Sequence, residues 1–126
     1  MVSEKMVEIV KRLVKLTQEG RLNWAEEPNS GSYAIAFANF SLSISSDFSG
    51  LGSREDSVVI RIYNAEGEVI EAVSDEEFPE DTFKREQKTP YRMLYELYQN
   101  ARRNAIGIDT ALDAILAELP EPYVPF

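Results

Sequence analysis

The sequence predicts an α+β fold, a two-layer sandwich in which a four-stranded antiparallel meander is covered by one N-terminal helix and two C-terminal helices. Three observations predict it: a helical apolar period near the N-terminus, alternating apolar residues between positions 33 and 73, and a second helical period from residue 90. The expected order of elements is α-β-β-β-β-α-α. Amphipathic helices at both ends of the chain should cover one face of the sheet.

The first helix is expected over residues 3–19. Its apolar residues recur with the spacing of a single helix face: Met6, Ile9, Val10, Leu13 and Val14. Ser3 is a plausible N-cap, and Gly20 provides a C-terminal stop. Residues 25–32 are predicted to form a loop, because Pro28, Asn29 and Gly31 favour turns.

The first hairpin is predicted from six large apolar residues on two alternating segments, namely Tyr33, Ile35, Phe37, Phe40, Leu42 and Ile44. A two-residue turn at Ala38-Asn39 would pair positions 35 with 42 and 33 with 44. Because directly opposed residues share a face of the sheet, this register gathers all six side chains on one side. The register follows from the apolar pattern rather than from the turn residues.

The second hairpin is expected to join strands at 57–64 and 68–73. Its turn, Asn64-Ala65-Glu66-Gly67, fits a type I turn that closes with a left-handed glycine. This three-residue hairpin with a bulge at the turn would place Ile62 opposite Ile70 and Arg61 opposite Glu71.

The C-terminal third is predicted to contain an acidic loop at 74–88 and two helices. Thr89-Pro90 favours a helix start, Gly107 ends the first helix, and Asp109 is expected to cap the second one. Pro120 ends that second helix. Residues 1–126 are interpreted as a single domain with a proline-rich extended tail at 120–126.

Composition excludes several classes of function. The chain has 126 residues, a net charge of −9, no cysteine and no histidine. Disulfides, thiolate chemistry, imidazole ligands and Ser-His-Asp triads are therefore excluded. An acidic surface repels nucleic acid and anionic membranes. Because the sequence has no apolar run of roughly 18 residues and no secretory signal pattern, the expected location is the cytoplasm.

Several segments together resemble a known family. They are residues 62–70, with Asn64 and Gly67 at the turn, residues 94–116, with Arg102, Arg103 and Gly107, and Trp24 with the first hairpin. The chain resembles a small prokaryotic α+β domain family with no assigned activity, over roughly residues 6–119. The resemblance implies the fold and implies no function.

Two loops are candidate ligand sites. The acidic run at 75–81 is rich in oxygen ligands, but it lacks the order and the glycine of a calcium loop, so a solvated acidic loop is favoured. The Gly50-Leu51-Gly52 segment lacks a complete phosphate-binding frame. The sequence therefore identifies no catalytic residue, metal site, cofactor or small-molecule ligand.

Candidate partner-binding residues come from four regions. The second face of the sheet would present Val59, Arg61, Tyr63 and Val69, and an exposed apolar sheet face needs a cover. The other candidates are Trp24, the arginines Arg102 and Arg103, and the tail residues Tyr123 and Phe126. For Trp24 the alternative is a place at the edge of the core, and for the arginines it is simple stabilisation of a helix C-terminus.

The leading functional hypothesis is a non-enzymatic protein–protein interaction or adaptor module, bound to a protein partner or to itself as a homodimer. One alternative is a regulator that binds single-stranded nucleic acid on the sheet, although only Arg61 and Tyr63 suit that role. A second alternative is a carboxylate-based, metal-dependent enzyme that uses the acidic loop.

Overall fold

The computed structural model describes residues 2–27, 31–47 and 57–119. It contains three α-helices, α1 (Glu4–Gln18), α2 (Pro90–Ala105) and α3 (Ile108–Glu118), and two short 3-10 helices, Asp75–Glu77 and Lys84–Glu86. The strands are β1 (Ala25–Glu27), β2 (Ser32–Ala36), β3 (Ser41–Asp47), β4 (Ser57–Tyr63) and β5 (Val69–Ser74). The α+β class and the antiparallel sheet are confirmed.

The sheet has five strands rather than the predicted four, in the order β1-β2-β3-β4-β5. The additional strand, β1, lies inside the segment that was predicted as a loop. It pairs Ala25 with Ala34 and Glu27 with Ser32, and the Ser32 hydroxyl donates to the Glu27 carboxylate at 2.6 Å. A three-residue edge strand is too short to show an alternating pattern, so composition alone favoured a loop.

The predicted register of the first hairpin is confirmed. Tyr33 lies opposite Ile44 and Ile35 lies opposite Leu42. The Phe37 amide donates to the Phe40 carbonyl at 2.8 Å, which leaves Ala38 and Asn39 as the turn residues.

The predicted turn of the second hairpin is confirmed, and Tyr63 lies opposite Val69 as the predicted register requires, but beyond this pair the register is wrong by one residue. Gly67 has a φ of +83°, and the Asn64 amide donates to the Glu68 carbonyl at 2.9 Å. A bulge then leaves Ile70 without an opposite residue, so that Ile62 faces Glu71 and Arg61 faces Ala72. Because side chains alternate along a strand, this extra residue turns Val73 into the core and leaves Ile70 exposed.

The core lies between one face of the sheet and helices α1 and α2. Its fully buried side chains include Val10 of α1, Ile44 and Ile60 of the sheet, and Leu94 and Leu97 of α2. Helix α2 contacts α1 and strands β1 to β4, so it is the central element of the helical layer. Burial of these aliphatic side chains is the main source of stability.

The segment at 74–88 is more ordered than the predicted loop. Its two 3-10 helices flank Phe78 and Phe83, which are both buried with ring centroids 5.6 Å apart. The two aromatic side chains make this segment part of the core, although most of its residues are polar.

Both predicted N-caps of the long helices are observed. The Ser3 hydroxyl accepts from the Met6 amide at 3.2 Å, and the Thr89 hydroxyl accepts from the Arg92 amide at 3.2 Å. The predicted Asp109 cap of α3 is wrong. Gly107, with a φ of +67°, occupies the position before Ile108, so one left-handed glycine both ends α2 and starts α3.

Tyr98 joins α2 to the start of β2, and it yields a prediction about alkaline stability. Its ring packs on Tyr33 with centroids 5.6 Å apart, and its hydroxyl donates to the Gly31 carbonyl at 3.1 Å. Burial, and then the neighbouring Tyr33, raises the pKa of Tyr98 above its ordinary value of 10.0. The folded state therefore holds this proton more tightly than the unfolded chain. The contribution of Tyr98 to stability is fully present below the ordinary tyrosine pKa and is lost as pH rises through the folded-state pKa.

We expect Tyr98→Phe, which cannot ionise at this position, to lose less stability than the wild type between about pH 8 and about pH 11. Urea unfolding at both pH values, followed by tryptophan fluorescence, measures the two losses. Equal losses in the two proteins would contradict the prediction. The comparison cancels the titration of the remaining tyrosines and lysines, because both proteins share them.

Candidate functional site

The most exposed apolar surface is one side of α3. Leu112, Ile115, Leu116 and Leu119 follow an i, i+3, i+4, i+7 spacing and therefore share one side of the helix. Between 48% and 67% of each side chain is exposed. We call these four residues the α3 face. A helix of eleven residues is marginal in water without packing, so a surface of this kind favours contact with another element.

Helix α3 is anchored only at its start, among the residues that the structure describes. Its recorded contacts are with α2, from which Ile106 and Gly107 separate it. The described side chains from Thr110 to Leu119 are all exposed. The sequence predicts that this helix covers the sheet, but in the structure α1 and α2 lie over the core.

A second apolar surface lies at the turn of the first hairpin. Ile9 of α1, Phe37, Phe40, Leu42 and Ile62 line an open groove of about 310 Å³, with Ser41 at its edge. We call these five apolar residues the hairpin groove. Phe37 and Phe40 are about half exposed, at 52% and 50%. The sequence predicts both on the core face, but the helices leave this end of that face uncovered.

The helix beside the hairpin groove is positively charged. α1 carries four basic and two acidic residues, although the whole chain has a net charge of −9. Lys5 and Arg12 lie one turn on either side of Ile9, and both are exposed. Arg12 pairs with Glu8 at 2.9 Å, whereas no ion pair is recorded for Lys5 in the described part of the chain. Because Glu71 of β5 lies directly opposite Ile62, charges of both signs flank the groove, and its cationic side is the α1 side.

The predicted residues of the second sheet face are brought together, but their polar groups are already bonded. Arg61 donates to the Ser45 hydroxyl at 3.0 Å, and the Tyr63 hydroxyl lies 3.1 Å from the Ser43 hydroxyl. Val59 is partly buried, whereas Val69 is exposed. This face therefore presents less free polar surface than the sequence suggested.

Trp24 lies in the core edge and not on the surface. Only 5% of the residue is exposed, its indole N–H donates to the Thr17 hydroxyl at 3.1 Å, and its amide donates to the Asn104 side chain at 2.7 Å. It thereby connects the C-terminal ends of α1 and α2. The position supports the alternative that the sequence analysis left open, a structural role.

Arg102 and Arg103 are exposed in the last turn of α2, next to the start of α3. Cations at this end of a helix are stabilised by its dipole. Tyr123 and Phe126 lie outside the described residues, as does most of the Gly50-Leu51-Gly52 loop.

Two carboxylates of the acidic segment, those of Asp75 and Glu77, form structural hydrogen bonds, whereas Glu76, Glu80 and Asp81 are exposed. Asp75 is buried and accepts from the Val58 amide at 2.9 Å and from the Ser57 hydroxyl at 3.4 Å. Glu77 accepts from the Ser74 amide at 2.9 Å. Within residues 2–27, 31–47 and 57–119, no group of three or more acidic residues is placed to hold a metal ion.

A charged cleft of about 420 Å³ separates α1 from the start of α2. Lys11 pairs with Glu86 at 3.7 Å on one side of it. Nearby, Lys88 pairs with Glu96 at 2.6 Å. These two lysines already have carboxylate partners, whereas Lys15, which also lines the cleft, is exposed and forms no ion pair with the described residues. The cleft therefore presents two ion pairs beside a single lysine.

Within the described residues, the α3 face and the hairpin groove are therefore two exposed apolar surfaces without a covering element; Val69 and Ile70 of β5 are exposed to a similar degree. None of the helices in the described ranges has the length and apolar character needed to cross a membrane. Comparisons of the chain with family models, with curated proteins and with solved structures find no match.

Proposed function

We propose that this protein is a non-enzymatic, self-associating interaction module, a homodimer in which the α3 face is the principal contact surface. The observation that carries the proposal is the exposure of all four large apolar residues on one side of a helix. Contiguous apolar patches of several hundred Å² on a monomer mark contact sites more often than solvent-facing surface.

The pattern of exposure on α3 supports a protein contact. Leucine and isoleucine occupy one side of the helix, while Thr110, Asp113, Ala114 and Ala117 occupy the other. An amphipathic helix of this kind binds with its apolar side in an apolar groove or against another helix. Single-strand binding has less support, because Arg61 and Tyr63 already form hydrogen bonds to serines of the sheet.

The test is the oligomeric state as a function of concentration. We expect sedimentation equilibrium to show a dimer at micromolar concentration. The double variant Leu112→Ser/Leu116→Ser should raise the dissociation constant at least about 100-fold, because each leucine contributes about 1.5 kcal/mol or more of burial.

The matched control changes the opposite side of the same helix. Ala114→Ser/Ala117→Ser also introduces two serines at exposed positions of α3, and it should leave the dissociation constant within about threefold of the wild type. Circular dichroism would verify equal helix content in all three proteins. A wild type that remains monomeric up to about 1 mM, or an equal loss in both double variants, would contradict the proposal.

A further inference from the structure

We infer that the α3 face of one copy docks in the hairpin groove of a second copy, and that the two copies exchange α3 reciprocally about a twofold axis. This inference rests on the proposed function, because it names the surface that receives α3 in the homodimer. The alternative, in which two α3 faces meet each other, is disfavoured by charge and by area.

Charge favours the groove. α3 contains Asp109, Asp113 and Glu118 and no basic residue, so each helix carries a net charge of −3 and two α3 helices in contact would repel each other, although Asp113 lies on the side away from the α3 face. The groove instead adjoins α1, with its excess of basic residues, and Lys5 and Arg12 flank Ile9 on the exposed side. An acidic α3 docked beside the net positive α1 brings opposite charges together, which favours the groove over a second α3 as the contact surface.

Buried area points the same way. From the exposed fractions, the α3 face offers roughly 400 Å² per copy, so a pair of α3 faces would bury roughly 800 Å², the size of a crystal-packing contact. Reciprocal docking also buries the exposed parts of Ile9, Phe37 and Phe40 in both copies. The total then reaches roughly 1,300 Å², which lies within the range of stable interfaces.

The position of α3 favours exchange between copies over docking within one chain. Asn104, near the end of α2, contacts Trp24 beyond the C-terminus of α1, so α3 starts at that end of the helical layer. The groove lies beside Ile9, nine residues and roughly 14 Å before the end of α1. Among the described residues α3 packs against α2 and has no comparable contact with α1 or with the first hairpin, so it does not lie on the groove of its own chain.

Disulfide trapping tests the inference cleanly, because the chain has no natural cysteine. Leu116→Cys is placed in a chain with an affinity tag, and Phe40→Cys or Ile9→Cys is placed in a second chain of different size. The proteins are mixed under reducing conditions, allowed to exchange subunits and then oxidised. Non-reducing electrophoresis separates the mixed disulfide from each homodisulfide.

The expected result is a mixed disulfide between the Leu116→Cys chain and at least one groove variant, in several-fold excess over homodisulfides. Ala117→Cys, on the opposite side of α3, is the matched control and should give at least about fivefold less mixed product. A mixed product no more abundant than the control would overturn the inference.

Two further outcomes separate the inference from the proposed function. A dimer that traps mainly as the Leu116→Cys homodisulfide would show α3 against α3, so the inference fails and the self-association stands. A monomeric protein without any mixed disulfide would contradict both the inference and the proposed self-association. A chain carrying Leu116→Cys and Phe40→Cys together that forms an intrachain disulfide at high dilution would show α3 on its own groove, which also overturns the exchange.

Discussion

Replacing Phe83 with alanine is expected to lower the free energy of unfolding by about 3–5 kcal/mol, the usual cost of removing a buried aromatic ring. Phe83 has no exposed surface, and its ring packs on that of Phe78. The 3-10 helix Lys84–Glu86 follows directly, so the ring fixes the acidic segment to the core. The lost free energy includes the cost of the cavity that the ring leaves behind, because the neighbouring side chains fill that space only in part.

The control is the same substitution at an exposed position. Phe37→Ala removes an identical ring that is half exposed, and it should cost at most about 1.5 kcal/mol when the protein is dilute enough to be monomeric. Urea unfolding followed by circular dichroism gives both values. A loss for Phe83→Ala no larger than that for Phe37→Ala would show that the acidic segment is a solvated loop after all.

The elements that the sequence predicted well are those with a local physical cause. Ser3 and Thr89 start helices because their side-chain oxygens accept from amides three residues later, which needs no tertiary context. The register of the first hairpin follows from six apolar residues that only one pairing places on the same face. Gly67 is required by the left-handed conformation of its turn.

The incorrectly predicted elements depend on contacts with residues distant in the sequence, or are too short to show a periodic pattern. β1 is three residues long and exists because Ala34 and Ser32 of β2 pair with it. The bulge at Ile70 shifts the second hairpin by one residue, and the resulting gain is the burial of Val73 opposite Ile60. Sequence periodicity does not reveal such a bulge, since the strand contains apolar residues in both registers.

The candidate site was only partly predictable for a related reason. An apolar period identifies a face but not the surface that covers it, so Leu112 and Phe40 were both expected to pack on the core of the same chain. One signal was available in the sequence. Two amphipathic helices already suffice to cover a small sheet, and the short Ile106-Gly107 connection gives a third helix little freedom to reach it.

Trp24 is a candidate contact residue in the sequence because a lone tryptophan occurs both on binding surfaces and at core edges.

Trp24→Ala is expected to lower the free energy of unfolding by about 3–5 kcal/mol, because it removes a buried indole from the junction between α1 and α2. The indole N–H bond to Thr17 is lost as well, which leaves a buried hydroxyl without this donor. Trp24→Phe keeps most of the ring volume and should cost less. Urea unfolding, followed by far-ultraviolet circular dichroism because the chain then has no tryptophan, measures both variants.

The same variants decide between the structural and the interaction role of Trp24. A residue that is 5% exposed has almost no surface to offer a partner, so the folded fraction of Trp24→Phe should dimerise with the dissociation constant of the wild type. A stable Trp24→Ala protein that had lost dimerisation would place the indole in the interface and would contradict its position between Thr17 and Asn104. For the variants of the α3 face we expect the opposite result, weakened dimerisation with little loss of folding stability. The two sets of variants therefore separate folding from association.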